Sequence, residues 1–317
     1  PSSPLDQLKG AGFAESTAVS PVYGGTTPNA EFEALTGIPV KTFQDGIIPY
    51  QHYVQYITEG ARTLPRILTE KGYAAAAYHN FTRRFWLRDQ IYPKLGFGEF
   101  VSMDQMTLTI QPNDWPTDDG LYKSVLDRVG GDKPQFHFIV TVQTHGPYEA
   151  DDRDRKGHEG VTDYRTRLGD AVRALTAFKA ELDARGRPYA LVLFGDHLPG
   201  LRMHQFHDGM KSESDPRLHQ IPVLIASNTD SPQALADAVR GRPLYCLSPL
   251  VLDWIGRPVA ESYMSYLNAS CRSAQDIERA TTATAPCWLD LAFLPPNVTM
   301  TTVRQRLNRA TVIDMAA

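Results

Sequence analysis

The sequence predicts an α/β fold, a mostly parallel sheet with helices on both faces and a small C-terminal region beyond it. Three observations predict it. Residues 136–142 (FHFIVTV), 190–194 (ALVLF) and 221–226 are short apolar runs, too brief to span a membrane and about right for buried strands. Residues 161–185 carry Tyr164, Leu168, Val172, Leu175, Phe178 and Leu182 at steps of three and four, the period of a long amphipathic helix. Strand and helix patterns alternate along the chain, as in a parallel sheet whose crossovers are helical.

The elements follow in order. The first seventy residues are loop-rich, punctuated by Gly24, Gly25, Pro28, Pro39, Gly46 and Pro49. Within them Pro28 suits the first turn of a helix that carries Glu31, Phe32 and Leu35 and ends at Gly37. Thr26 or Thr27 then falls at the cap, where exposed backbone N–H groups favour an anion. Residues 63–71 read as a helix with Leu64, Ile67 and Leu68 on one face and Gly72 as its stop. Residues 73–78 read as a strand, with His79 at its end, and residues 121–129 as a helix. The strand over 136–142 runs into QTHGPY, which puts His145 just past a strand end. Gly186 and Pro188 stop the long helix, and the strand over 190–194 closes on Gly195 before Asp196 and His197. Residues 247–255 read as a helix, and from Tyr263 onward the pattern weakens. The expected division is a main domain over residues 1–260 and a C-terminal extension or subdomain over 261–317.

Composition excludes some functions. A formal net charge of −4, from 32 basic and 36 acidic residues, gives no electrostatic case for nucleic acid. Cys246, Cys271 and Cys287 have no zinc-like spacing; Cys271 and Cys287 are close enough in sequence to bridge in an oxidising compartment, and three separate thiols is the other reading. No run of eighteen apolar residues and no signal peptide is present. The opening PSSPLDQLKGAGF reads like the middle of a domain, so a fragment of a longer protein is expected.

The candidate chemistry lies at strand ends. In an open α/β sheet those ends meet along one edge, where ligands gather. His79, His145 and the Asp196–His197 pair are so placed, and Thr27 opens a helix. Asp beside His offers a hard oxygen and a borderline nitrogen, which suits a divalent ion; alone, such a dipeptide is as well explained by a turn or cap. Each histidine alone is also explained by a solvated loop or a satisfied core position.

Four blocks, GGTTPNAEFEALTG, YHNFTRRFWLRDQIYPKLGF, VTVQTHGPY and LFGDHLPG, occur in that order. Together they resemble the lipoteichoic acid synthase and phosphoglycerol transferase branch of the alkaline phosphatase/sulfatase superfamily, over roughly residues 15–256. The resemblance implies a sulfatase-like catalytic domain and assigns roles residue by residue. Thr27, four residues before Glu31, matches the nucleophile and a metal ligand. Asp196 and His197 match metal ligands, and His79, Trp86, Arg88 and His145 match groups lining the phosphate and glycerol site, with Arg88 and His145 also in catalysis. His204 matches a substrate-site histidine more loosely. Without the resemblance, Phe85 and Trp86 read as core aromatics and Arg88 as the partner of Asp89.

What the resemblance implies is a transferase with one divalent ion, manganese ahead of magnesium or zinc. It would move phosphoglycerol, or a related phospho head group, from a phospholipid donor to a glycan or polymer acceptor through a phospho-threonine. A threonine hydroxyl needs a cation to act as nucleophile at neutral pH, so the residue types agree. The resemblance also implies a tether, outside this chain, to the inner or cytoplasmic membrane, with the catalytic domain facing the periplasm or outside. One element departs from the family pattern. A further Glu ligand ends a strand upstream of the threonine in that pattern; Glu15 lies only twelve residues before Thr27, has no apolar strand before it, and reads as a surface residue. A phosphodiesterase or other hydrolase on the same fold, and a non-catalytic glycan- or protein-binding relative, are the alternatives. A sulfatase is disfavoured, because the chain has no C-x-P-x-R or S-x-P-x-R motif.

Overall fold

The computed structural model describes residues 4–43, 45–53, 57, 61–112, 114–154, 159–201, 215–259 and 263–272. In chain order its elements are α1 (Pro4–Gly10), β1 (Ala14–Val19), α2 (Thr27–Thr36), α3 (Pro49–His52), α4 (Leu64–Glu70), β2 (Ala74–His79), α5 (Arg88–Leu95), β3 (Glu99–Ser102) and α6 (Asp118–Leu126). There follow β4 (Gln135–Val140), α7 (Val161–Ala184), β5 (Ala190–Phe194), β6 (Gln220–Ser227), α8 (Pro232–Val239), β7 (Arg242–Pro243), α9 (Leu247–Trp254) and α10 (Tyr263–Cys271).

The strands form two sheets. One is three-stranded and parallel, in the order β3-β2-β4, with His79 opposite both Ser102 and Val140. The other has the order β5-β6-β1-β7; β6 runs antiparallel to both neighbours and β7 parallel to β1. The mostly parallel sheet expected from the sequence is therefore mixed at β6. An apolar run buried on both faces reads the same whichever way it runs.

Helices cover both faces. On one, α2, α4, α5, α8 and α9 pack Phe32, Leu35, Ile67, Ile91 and Leu250 against Ala75, Ala77, Val223 and Ile225. On the other, α1, α6 and α7 pack Leu8, Leu121, Val125, Val172, Leu175 and Phe178 against Ala76, Tyr78, Leu224 and Ala226. Each such side chain contributes about 1.5–3 kcal/mol by leaving water. Among the described residues no helix is long and apolar enough to cross a membrane.

Two expectations are corrected here. The loop-rich first seventy residues, for which the sequence reading assigned no strand, hold β1 (AESTAV) inside the mixed sheet with Ser16 and Ala18 buried and Thr17 exposed. Its inward positions are too small to make an apolar run. Cys271 bridges Cys246, not Cys287, across a separation of 25 residues. The packing of α10 into the first core through Met264 and Leu267 brings those two sulfurs together; Cys287 lies outside the described residues.

Candidate active site

Thr27 is the first residue of α2, and its cap, Thr26, sits in the left-handed region at φ 63°. A non-glycine residue held there costs roughly 1–2 kcal/mol, so the surrounding contacts must impose it. Several do. Gly24 N donates to Leu198 O at 3.2 Å and Tyr23 Oη to Leu201 O at 2.8 Å, which ties the loop before α2 to the loop after β5. A Cβ on Gly200 would come within 3.0 Å of Gly24 O, so the two backbones approach this closely only as glycine against glycine. Ser20 Oγ donates to Asp196 O at 2.5 Å and ties the end of β1 to the end of β5.

The result is a contact between residues 169 positions apart: Thr27 Oγ1 donates to Asp196 Oδ2 at 2.6 Å. His197 Nε2 lies 3.2 Å from the same oxygen, and His197 Nδ1 lies 2.8 Å from Leu198 O. A neutral imidazole has one N–H. If Nδ1 gives it to Leu198 O, Nε2 turns a lone pair toward a carboxylate oxygen, an arrangement a cation between them satisfies. The hydroxyl, carboxylate and imidazole thus fit a divalent ion in donor type and convergence. They are incomplete as a set, since among the described residues no three His, Cys, Asp or Glu side chains group as metal ligands.

One helical turn beyond Thr27, the same helix carries a buried ionic lock. Glu31 and Arg88 are 2% and 1% exposed. Arg88 Nη2 donates to Glu31 Oε1 at 2.5 Å and Tyr92 Oη to Glu31 Oε2 at 2.8 Å. Arg88 Nη1 reaches His79 Nε2 at 3.2 Å and Phe85 O at 3.1 Å. Burial works against the Arg88 charge, but Glu31 outweighs it and the guanidinium is held more firmly protonated than usual. His79 Nδ1 lies 3.1 Å from Val140 O of β4. Burial first, then the Arg88 cation, hold His79 well below the usual imidazole range. The neutral ring therefore donates from Nδ1 to Val140 and accepts at Nε2 from Arg88. Arg88 does not pair with Asp89 at the surface.

Trp86 and Leu87 form a turn at φ 60° and 57° between Phe85 and α5. Trp86 is half-buried against the first core, with Phe85 5.5 Å away between ring centroids. His145 is exposed, its ring centroid 4.4 Å from that of Trp115. Its loop is fastened from α7, where Arg167 donates to His145 O at 2.8 Å and Pro147 O at 3.2 Å.

A second buried network was missed by sequence reasoning. Asn80 Nδ2 donates to Asp118 Oδ1 at 3.0 Å, and Asp118 N to Gln143 Oε1 at 2.8 Å. It joins the residue after His79 to the loop before His145. Burial is the main cause that pushes the Asp118 carboxyl up to about 7. The signal available in the sequence was only that Asn80 and Gln143 flank strand ends. Thr27, Asp196 and His197 are thus in direct contact, and His79 and Arg88 form a second contact group. Glu15 pairs with Lys9 at 2.8 Å, a half-exposed position on β1. His204 lies outside the described residues.

The sulfatase family profile matches residues 4–256. Among curated proteins, a "Putative cyclic beta-1,2-glucan modification protein" of Rhizobium meliloti is 32% identical over 68% of this chain and 36% of its own length. The chain spans about a quarter to a third of the length of the curated relatives it matches. Among solved structures, the phosphoglycerol transferase GacH of Streptococcus pyogenes, in complex with sn-glycerol-1-phosphate, superposes with a TM-score of 0.72 at 18% identity, covering 91% of this chain and 78% of that one. The lipoteichoic acid synthase LtaP of Listeria monocytogenes gives 0.64 at 18% identity, covering 84% and 69%. These two share the fold.

Proposed function

Because the chain belongs to the sulfatase family, we propose that it is the catalytic part of a metal-dependent transferase that moves phosphoglycerol, or a related phospho head group, from a phospholipid to a glycan or polymer. The observation that carries this reading is the Thr27–Asp196 contact, a hydroxyl at a helix N-terminus held by a carboxylate at a strand's C-terminal end. The names of the fold relatives favour phosphoglycerol chemistry, and that of the Rhizobium meliloti relative favours a glucan acceptor.

In the first step Thr27 Oγ1 attacks the phosphorus of the lipid phosphodiester, and the bond to the diacylglycerol oxygen breaks. Asp196 Oδ2 accepts the hydroxyl proton along the existing hydrogen bond. His145, exposed in the loop after β4, is the candidate to return a proton to the leaving oxygen. In the second step an acceptor hydroxyl attacks the same phosphorus, its proton passing to His145, and Thr27 Oγ1 leaves with the proton returned from Asp196. The backbone N–H groups at the start of α2 favour the anion in both. Thr27, Asp196 and His197 would hold the divalent ion, which would supply Lewis-acid activation of the hydroxyl and the phosphoryl oxygen; manganese leads, with magnesium or zinc next. His79 and Arg88 act from beneath by fixing the turn that presents Trp86.

The Cys246–Cys271 bridge fits an extracytoplasmic domain, since disulfides persist in oxidising compartments. The membrane tether then lies in a part of the protein outside this chain. The test is an assay of the natural polypeptide with manganese, labelled phosphatidylglycerol and a linear or cyclic glucan. Label on the glucan together with free diacylglycerol is expected. Release of water-soluble glycerol phosphate alone would replace the transferase with a hydrolase, and no release of diacylglycerol would leave a non-catalytic binding protein.

A further inference from the structure

The helix that presents Thr27 is sunk in the protein, with nine of the ten residues of α2 buried. Burial of that extent leaves little room for an idle polar side chain, because a polar atom taken out of water without a partner is costly. Glu31 is accounted for by Arg88 and Tyr92. Asn29 and Glu33 are 6% and 3% exposed and stand four positions apart, so they share a different face of the helix. That face is not fully served by the protein. Asn29 Nδ2 donates to Ile47 O at 3.4 Å, but among the described residues Asn29 Oδ1 has no hydrogen-bond partner. Glu33 accepts at Oε1 from Val40 N at 2.9 Å, and a backbone hydrogen bond from Tyr245 also reaches its carboxyl. Burial, the largest cause, pushes that carboxyl up to about 8, so near neutral pH it keeps a proton and has an O–H to donate.

Both side chains line one cavity of about 550 Å³, enclosed by the start of α2, residues 40–48 and residues 243–245. Small-molecule sites span roughly 300–1,000 Å³. Val22, Val40 and Phe43 give the cavity apolar walls, and its two exposed charged residues, Lys41 and Asp45, are of opposite sign. Ser20 lines it as well, and Ser20 Oγ donates to Asp196 O, so the cavity shares a wall with the corner that holds Asp196. Thr26, the residue before Thr27, is also in its lining, whereas His79, Trp86, Arg88 and His145 are not.

The lining chemistry selects the occupant. An apolar molecule would leave Asn29 Oδ1 unpaired. A phosphate or carboxylate would meet the Asn29 oxygen, Glu33 and Asp45, with Lys41 as the one cation among the described lining residues. A neutral molecule with several hydroxyls and a C–H face fits every wall: one hydroxyl donates to Asn29 Oδ1, another accepts from the Glu33 carboxyl, and the C–H face lies on Val40 and Phe43. A pyranose ring has that make-up. We propose that this cavity holds one pyranose residue of the acceptor glycan, beside Thr27 and apart from the residues set around the phosphate and glycerol. The proposal rests on the glycan-acceptor reading given above. Because Thr26 borders the cavity, a glycan anchored in it brings a neighbouring sugar of the same chain toward Thr27.

Binding without turnover tests it. The natural polypeptide, with a chelator present and no lipid donor, is titrated with a linear or cyclic glucan and read by saturation-transfer NMR. Asn29→Leu keeps the volume and removes the acceptor, and it is expected to weaken glucan binding roughly tenfold with no loss of thermal stability. Glu33→Gln keeps a donor and is expected to bind glucan within about twofold of the parent. A purely structural Asn29 would instead lower the melting temperature and leave the affinity unchanged. Should Asn29→Leu not fold, Val40→Trp, which fills the cavity from its wall, is expected to lose glucan binding. Glucan bound equally by the parent and by a folded Asn29→Leu or Val40→Trp overturns the cavity assignment and leaves the glycan acceptor standing, whereas a parent that binds no glucan overturns both. The proposal is also overturned if Asn29→Leu weakens the binding of inorganic phosphate or ethanolamine and not that of glucan.

Discussion

One helix carries two polar contacts of opposite character. At its first residue, Thr27 meets Asp196 and His197 in a half-buried corner whose hydroxyl, carboxylate and imidazole remain within reach of a ligand. One turn later, Glu31 meets Arg88 where neither is exposed by more than 2%. The first contact can change partners during a reaction. The second cannot, because separating two buried charges leaves each without compensation. The lock therefore fixes α2, and with it the position of Thr27, while the corner stays open to a ligand. Arg88, which a reading by resemblance sets against the substrate, belongs to the lock in this structure.

Breaking each side separates the two roles. Thr27→Ala is expected to abolish turnover, on the order of 10⁴-fold or more, with a melting temperature within a few degrees of the parent, because it removes the proposed nucleophile and one half-exposed hydrogen bond. Steady-state kinetics and a thermal melt on one sample check both halves. Glu31→Ala is expected to act first on stability. It leaves the Arg88 guanidinium buried and unpaired at a cost of roughly 3–5 kcal/mol, to be read by chemical denaturation. Glu31→Ala together with Arg88→Met should recover most of that loss. Failure of the double variant to recover would mean that the pair is not the lock described.

Two smaller effects sharpen the comparison. Cys246→Ser opens a bridge between positions 25 apart and is expected to cost about 3 kcal/mol, with reductant giving the same loss in the parent and none in the variant. The last is a pH effect. Burial is the main cause that raises Asp118 to about 7 and Glu33 to about 8. Each carboxyl keeps its proton in the folded chain at a pH where the unfolded chain has lost it. Stability from these groups is thus fully present below about pH 4 and is lost as pH rises to about 7 and 8. The loss is about 1.4 kcal/mol per pH unit for each group. Melts from pH 4 to 8 are expected to show that slope, and Asp118→Asn with Glu33→Gln to flatten it.

The corner was legible in the sequence and the lock was not. Thr27, Asp196 and His197 stand next to strong local signals, a Gly-Gly turn with a following proline and an apolar strand closed by glycine. A shared sheet edge then brings such positions together. Glu31 and Arg88 lie 57 residues apart, and Arg88 has a carboxylate beside it in Asp89, so the local pattern pointed to the wrong partner. β1 was hidden because its inward residues are Ser16 and Ala18, which bury well against a close-packed neighbour but leave no apolar run. The direction of β6 and the Cys246–Cys271 pairing depend on tertiary packing, which periodicity along the chain does not encode.

The central claim is that Thr27 forms a covalent phospho intermediate. The most direct measurement is intact mass followed by peptide mapping of the natural polypeptide after brief incubation with manganese and phosphatidylglycerol. The account predicts an added glycerol phosphate on the peptide that contains Thr27, absent from Thr27→Ala. An adduct on another residue, or turnover that persists in Thr27→Ala, would contradict it.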